Sequence, residues 1–251
     1  MNLHRFKSRP GSCTKPCPGF KVELRGEDDK PIKENYKLGK IVIKLPLPPS
    51  FMITLWGNDQ AFQDKYLNQF PGFYTSGDAG YFDEDGFLYV MARIDDIINT
   101  CGHRLSTSAM EEALLTHKDL VEAAVVPIQD EIRGELPFAF VVLKNETVQN
   151  RAYSENEKTQ MQKNSEIEKE LINVVRKEIG PVAALRNVII VKRLPKTRSG
   201  KTLRGVLRKI INKVDFDIPP TIEDRGVIQE IGEMLMKRGF KEIGKVIEAK
   251  L

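Results

Sequence analysis

Ala92–Ser106 reads Ala-Arg-Ile-Asp-Asp-Ile-Ile-Asn-Thr-Cys-Gly-His-Arg-Leu-Ser, and two different kinds of sequence lie on either side of it. Ile94, Ile97 and Ile98 carry an apolar pattern through the stretch, which Asp95 and Asp96 interrupt. Upstream, short apolar runs alternate with turn residues. Phe20–Leu24 and Lys40–Leu45 read as strands, with Gly26–Asp29 and Pro46–Pro49 as breakers. Tyr81–Phe82 and Phe87–Met91 flank Asp83-Glu-Asp-Gly86, a strong hairpin signal. Downstream, strand and helix patterns alternate. Ser108–His117 puts Met110, Ala113, Leu114 and His117 on one helical face, with Thr107 or Ser108 as the cap and Glu111 or Glu112 following. Val121–Ile128 and Leu136–Leu143 read as strands, Lys144–Ser165 as a polar loop and Ile167–Ile179 as a helix. A strand over Asn187–Arg193 and a helix over Leu203–Asn212 follow. The expected organisation is a β-rich block over 1–94, a mixed α/β block over 95–213, and a tail over 214–251 that is helical at Val227–Arg238.

Composition narrows the class. The chain has 251 residues, 41% hydrophobic and 29% charged, which is enough apolar material for one large core or two small ones. No apolar run approaches the roughly 20 residues of a membrane-spanning helix. A formal charge of +4 does not by itself call for nucleic acid. Three cysteines, Cys13, Cys17 and Cys101, cannot build a disulfide framework in a chain this long, so a reducing compartment is expected. Cys13 and Cys17 lack the further ligands of a zinc site. Met1–Pro10 is basic without an apolar core, which argues against a secretory signal; it is short for a mitochondrial presequence and reads as a basic terminus.

Three clusters can carry chemistry. In Tyr74-Thr-Ser-Gly-Asp-Ala-Gly80, Gly77 lets the backbone turn and Asp78 projects a carboxylate. That carboxylate can accept both hydroxyls of a ribose, or simply cap a local amide. In Ala92–Ser106, Arg93 and Arg104 lie on either side of a turn; each can hold phosphate or ribose with its rigid donor fork, or make surface ion pairs. Gly102 there permits close approach of a ligand, and Cys101 reads as a small buried residue rather than a nucleophile. His117 reads as a satisfied histidine near a helix end. The third cluster is Leu194-Pro-Lys-Thr-Arg-Ser-Gly-Lys-Thr-Leu-Arg204. Its Gly200-Lys201-Thr202 imitates the end of a phosphate-binding loop, but Pro195 stands where that loop needs its first glycine. From Arg186 to Lys213 there are ten lysines and arginines, no acid and no aromatic residue. This field suits a polyphosphate or an acyl phosphate, and the absence of stacking side chains argues against nucleic acid.

These motifs, Tyr74–Asp78 followed by DEDGFLYV, then ARIDDIINTCGHRLST, then LPKTRSGK, occur in the order of the adenylate-forming superfamily. The chain resembles its short-chain acyl-CoA synthetases, of the acetyl- and propionyl-CoA type, over nearly its whole length. KLPLPPSFMITLW, VRKEIGPVAA and PPTIED look like the propionyl type. The resemblance implies an α+β fold: a β-rich, barrel-like subdomain ending the AMP-binding N-terminal domain, then a small, mobile, mixed α/β C-terminal domain. It implies ATP, CoA and Mg2+, a small carboxylate substrate, and two half-reactions through an acyl-AMP. It matches Asp78, Arg93 and Arg104 to ATP-binding positions, Asp95 to the hinge, and Lys201 to the adenylation lysine. Cys101, Gly102 and Arg176 match CoA-binding positions, and Leu115, His117 and Leu120 match a metal site built mostly from backbone oxygens. The family's Ser/Thr/Gly-rich phosphate loop does not occur in these residues, so the chain is expected to be the last third of such an enzyme. It would be inactive alone and would work with the missing N-terminal domain in trans, or self-associate. The alternative is a non-catalytic module that binds nucleotide, CoA or a partner. The expected compartment is the mitochondrial matrix or the cytoplasm.

Overall fold

Val22–Arg25 (β1), Gly39–Lys44 (β2), Phe73–Phe82 (β3) and Leu88–Arg93 (β4) pair antiparallel in that order. The computed structural model describes residues 8–26, 28–144, 157–240 and 242–243, with 157–163 by backbone alone. Residues 1–7 of the basic terminus and 145–156 of the expected polar loop lie outside these. The chain divides into two compact units, Met1–Asp95 and Asp96–Leu251.

In the first unit, the sheet is open: no pairing closes it into a barrel among the described residues. One helical turn, Asp59–Phe62 (α1), runs into a wider turn over Gln63–Leu67 and lies beside β3. Asn58 caps it by accepting the Ala61 amide at 3.1 Å. The core combines buried Leu24, Ile41, Val42 and Tyr74 with aromatic contacts, Tyr66 stacking on Tyr74 at 5.2 Å and Tyr81 on Tyr89 across the β3–β4 ladder at 5.0 Å.

The Asp83–Phe87 turn that joins β3 to β4 is built around one carboxylate. Buried Asp83 accepts the Asp85 amide at 3.0 Å, the Phe87 amide at 2.8 Å and Arg9 Nη1 at 2.6 Å. Burial alone would raise its pKa; the Phe87 amide and the Arg9 guanidinium outweigh that and hold it below the usual carboxylate value. A depressed native pKa adds stability that is complete above the unfolded value near ~3.9 and disappears as pH falls through the native one. The stability gap between wild type and Asp83→Asn should therefore be wide at neutral pH and shrink below about pH 4. Thermal unfolding across that range measures it, and a pH-independent gap would contradict it.

The second unit holds the sheet Ile97–Thr100 (β5), His103–Ser106 (β6), Leu120–Asp130 (β7), Gly134–Leu143 (β8) and Asn187–Ile190 (β9). β7 and β8 form a long hairpin. The other edge of β8 is shared: β5 pairs antiparallel at Gly134, and β9 runs parallel from Phe138 to Val141. The parallel pair is joined through the helix Glu157–Glu178 (α3), because parallel neighbours need a crossover. Helices cover both faces. Ala124, Val126, Phe138 and Phe140 pack against Arg204–Ile211 (α4) and Gly226–Lys237 (α5). Val125, Ala139 and Val141 pack against Thr107–Leu115 (α2) and α3. A strand buried on both sides explains the unbroken apolar run Ala123–Ile128.

The structure moves some sequence-level boundaries. Ser106, rather than Thr107 or Ser108, caps α2, its hydroxyl accepting the Ala109 amide at 3.3 Å. Glu111 does not close a capping box: it points inward, 7% exposed. Within the expected loop, helix begins at Glu157.

Candidate functional site

In the first unit the β3–β4 ladder sets Asp78 directly opposite Arg93. Arg93 reaches Asp78 at 3.6 Å and, through its other nitrogen, Asp95 at 3.4 Å. Asp95 sits in the 3-10 turn Ile94–Asp96, at the last residue of the unit. Ser76 fixes the backbone beneath Asp78 by accepting its amide at 3.1 Å and donating to the Ile41 carbonyl at 3.1 Å. Gly77 has φ +82°, and a Cβ there would stand 2.9 Å from an Arg93 nitrogen. The glycine thus serves two needs at once, a left-handed backbone and room for the guanidinium. Asp78 remains partly exposed, so its carboxylate retains lone pairs for an incoming hydroxyl donor.

In the second unit, Cys101 and Gly102 form the two-residue turn of the β5–β6 hairpin, with φ +50° and +82°. Both are exposed, which corrects the expectation of a buried Cys101: a two-residue hairpin turn projects its central side chains into solvent. The Cys101 amide donates to the Arg133 carbonyl at 2.9 Å, so this turn lies against the β7–β8 turn. Arg133 in turn shares a cavity of about 240 Å3 with Arg176 and Arg186, lined on its apolar side by Ile172, Val175 and Leu185. Among the described residues none of these three guanidiniums has an ion-pair partner. Arg104 is exposed on β6, opposite Asn99. Arg133 and Arg186 are not among the residues the motifs single out; an arginine beside Gly134 in a hairpin turn was the available signal.

Lys201 ends a tight loop. The Thr197 amide donates to the Lys201 carbonyl at 2.8 Å, and the Lys201 amide donates to the Thr197 hydroxyl at 3.1 Å. Lys196 and Thr202 pair as a bridge beneath it. Lys201 is exposed, and among the described residues its ammonium has no ion-pair partner. The structure therefore gathers Asp78, Arg93 and Asp95 in one unit. It gathers Cys101, Gly102 and Arg176, through Arg133, in the other, where Lys201 stands on its own loop.

His117 follows α2. Its Nε2 lies 3.1 Å from Glu170, its Nδ1 accepts the Asp119 amide at 3.3 Å, and its carbonyl accepts the Leu120 amide at 3.1 Å. No cluster of three or more His, Cys, Asp or Glu side chains among the described residues is arranged to hold a metal ion.

Residues 109–201 match the AMP-binding enzyme C-terminal domain, and most of the chain is similar to the C-terminal part of short-chain acyl-CoA synthetases. It is 44% identical, over 86% of its length, to acyl-CoA synthetase short-chain family member B, mitochondrial, of Dictyostelium discoideum, and covers 30% of that protein. It is 38% identical, over 90% of its length, to the acetyl-coenzyme A synthetase of Chlorobaculum tepidum, of which it covers 32%. The chain therefore spans about a third of the length of the curated relatives it matches. Among solved structures it resembles the o-succinylbenzoate CoA synthetase of Bacillus subtilis in complex with its acyl-adenylate intermediate. The TM-score is 0.58 at 26% identity, over 79% of this chain and 35% of that one.

Proposed function

We propose that this chain supplies the lid and hinge half of an ATP-dependent short-chain carboxylate–CoA ligase. In the first half-reaction a carboxylate oxygen attacks the α-phosphorus of ATP, and pyrophosphate departs with the electrons of the broken bond. In the second, the CoA sulfur attacks the acyl carbon and AMP leaves. Lys201 serves the first step: its ammonium offsets the charge that spreads over the α-phosphate and the attacking carboxylate. Asp78 accepts the ribose hydroxyls, Arg93 holds that carboxylate and the ribose, and Arg104 meets phosphate. Asp95 is the hinge about which Asp96 onward rotates between steps. The substrates are acetate or propionate, ATP and CoA, and the compartment is the mitochondrial matrix, in line with the mitochondrial relative. The partner is an AMP-binding N-terminal domain of the family's kind, which carries the phosphate loop. The observation that supports this reading best is the exposed Lys201 ammonium, without an ion-pair partner among the described residues, on a closed loop at the end of the matched domain.

The test is ATP–pyrophosphate exchange dependent on acetate or propionate, by the chain alone and with such an N-terminal domain added in trans. Exchange only in the mixture is the expected result. No exchange in either would defeat the ligase reading.

A second reading, a module that binds CoA or nucleotide without turnover, is favoured by the arginine-lined cavity, which the second unit builds by itself. The two readings share a prediction. Gly102 leaves room for the pantetheine arm beside Cys101, and Arg176, with Arg133, meets the anionic end of CoA. Arg176→Ala and Arg133→Ala should each weaken CoA binding about tenfold, the scale of one lost charged hydrogen bond. Titration calorimetry measures it, and unchanged affinity in both variants would remove the cavity from the CoA path.

A further inference from the structure

The segment after α4 does more than fill the core. The turn Pro219–Ile222, closed by the Ile222 amide donating to the Pro219 carbonyl at 3.0 Å, and Glu223 after it lie alongside the Lys201 loop. Arg198 donates its amide to the Thr221 carbonyl at 3.1 Å, and Glu223 donates its amide to the Lys196 carbonyl at 2.9 Å. Thr197 and Ile222 pair between them. Ile222 is buried in the cluster that holds Leu207 and Ile228, so this segment is anchored from below. Its far end is locked from the side. Arg193, in the link between β9 and the Lys201 loop, binds Asp224 at 2.7 Å and Glu230 of α5 at 2.7 Å. The Glu230 and Asp224 carboxylates raise the Arg193 pKa further; the Gly226 amide and then Arg193 lower that of Asp224, and Arg193 lowers that of Glu230. Asp224 also accepts the Gly226 amide at 2.8 Å, at the start of α5.

We propose that Pro219–Asp224 is a positioning segment for Lys201, and that Arg193 is the positioning residue that locks it. The physical reason is a mismatch of demands. A lysine that stabilises a transient charge must be pre-aimed, because reorienting it during the reaction forfeits the electrostatic gain. The loop that carries it contains Gly200 at φ +82° and two small hydroxyl residues, and its own closing bonds fix its shape but not its direction. Bonds to the neighbouring segment fix where the closed loop points. A misplacement of about 1 Å at such a distance from the chemistry can cost on the order of a hundredfold in rate. The catalytic part of this inference rests on the adenylation reading above; the clamp itself does not.

Two measurements separate them. In the 251-residue chain, hydrogen exchange should run about tenfold faster at the amides of Arg198 and Glu223 in Arg193→Met, while the β7–β8 ladder is unchanged. Arg193→Lys should restore most of the protection, and Asp224→Asn with Glu230→Gln should reproduce the loss from the other side. Where the ligase is active, Arg193→Met should lower kcat of adenylation about tenfold with KM for ATP unchanged. Thioester formation from preformed acyl-adenylate should keep its rate. Unchanged exchange at Arg198 and Glu223 would overturn the clamp. Equal losses in both half-reactions would overturn its link to Lys201, since a general loss of folding would act on both. If the wild type adenylates nothing, the ligase reading fails, and the amide data alone decide whether the segment clamps the loop.

Discussion

Lys201→Ala is expected to slow acyl-adenylate formation by about a hundred- to a thousandfold, the usual consequence of removing one charge-stabilising donor, roughly 2.7–4 kcal/mol of barrier. The second half-reaction, started from preformed acyl-adenylate and CoA, should keep its rate, because no α-phosphate attack remains to be stabilised. The split separates this lysine from one that merely holds the fold. Lys201 is exposed and its ammonium has no ion-pair partner among the described residues, so its removal should leave thermal unfolding unchanged. Lys201→Arg should not restore the rate: a planar, five-donor fork on a stiffer head cannot occupy the place of a compact point charge. Full adenylation by Lys201→Ala in the presence of the N-terminal domain would sink the role.

The alternation of elements was legible because apolar period and turn chemistry agree with each other. Asp83-Glu-Asp-Gly86 marks its hairpin, and the continuous run Ala123–Ile128 marks a strand covered on both faces. Other features escape such reading for definite reasons. The start of α3 lies in polar sequence, with no apolar stripe to announce it before Ile167. Ser106, Thr107 and Ser108 are equivalent cap candidates by type; the choice falls on Ser106 because β6 ends there and its backbone is extended, φ −81° and ψ 124°. That Asp78 faces Arg93 depends on a register shift between Ala79 and Gly80, which no local pattern encodes. Arg133, Arg186 and Thr221–Glu223 acquire their neighbours only through the sheet, whose strand β9 arrives after a long crossover. Glu111 is the sharpest case, because its sequence position suggests a surface cap and its spatial position is a buried charge.

Glu111→Ala is expected to cost about 1–3 kcal/mol of stability in the second unit, the range for leaving a buried donor without its partner, because Arg204, one-third exposed, can turn to water. The carboxylate, 9% exposed, accepts Arg204 Nε at 2.8 Å and Nη2 at 2.5 Å, and also the Val125 amide at 2.9 Å. The hydrogen bonds that Arg204 donates to Glu111 raise the Arg204 pKa against the opposing effect of burial, so the guanidinium stays charged and would lose its counter-charge. The variant thus strands two donors, one charged and one in the middle of β7. Glu111→Gln should fall between, since an amide oxygen can still accept from Val125 but brings no charge to Arg204. The informative comparison is Glu111→Met with Arg204→Met together. If the penalty of the single change is mainly the orphaned charge, the double variant should regain most of the loss, and denaturant unfolding of the four proteins closes the cycle. A double variant as unstable as the sum of the singles would show instead that the two side chains act independently, with no coupling energy between them. Either way the effect reaches the candidate site, because Arg204 opens α4 two residues after Thr202, which closes the Lys201 loop against Lys196. The loop that carries the lysine is therefore held on one side by the part-buried Glu111–Arg204 ion pair between α2 and α4, and on the other by the segment that follows α4.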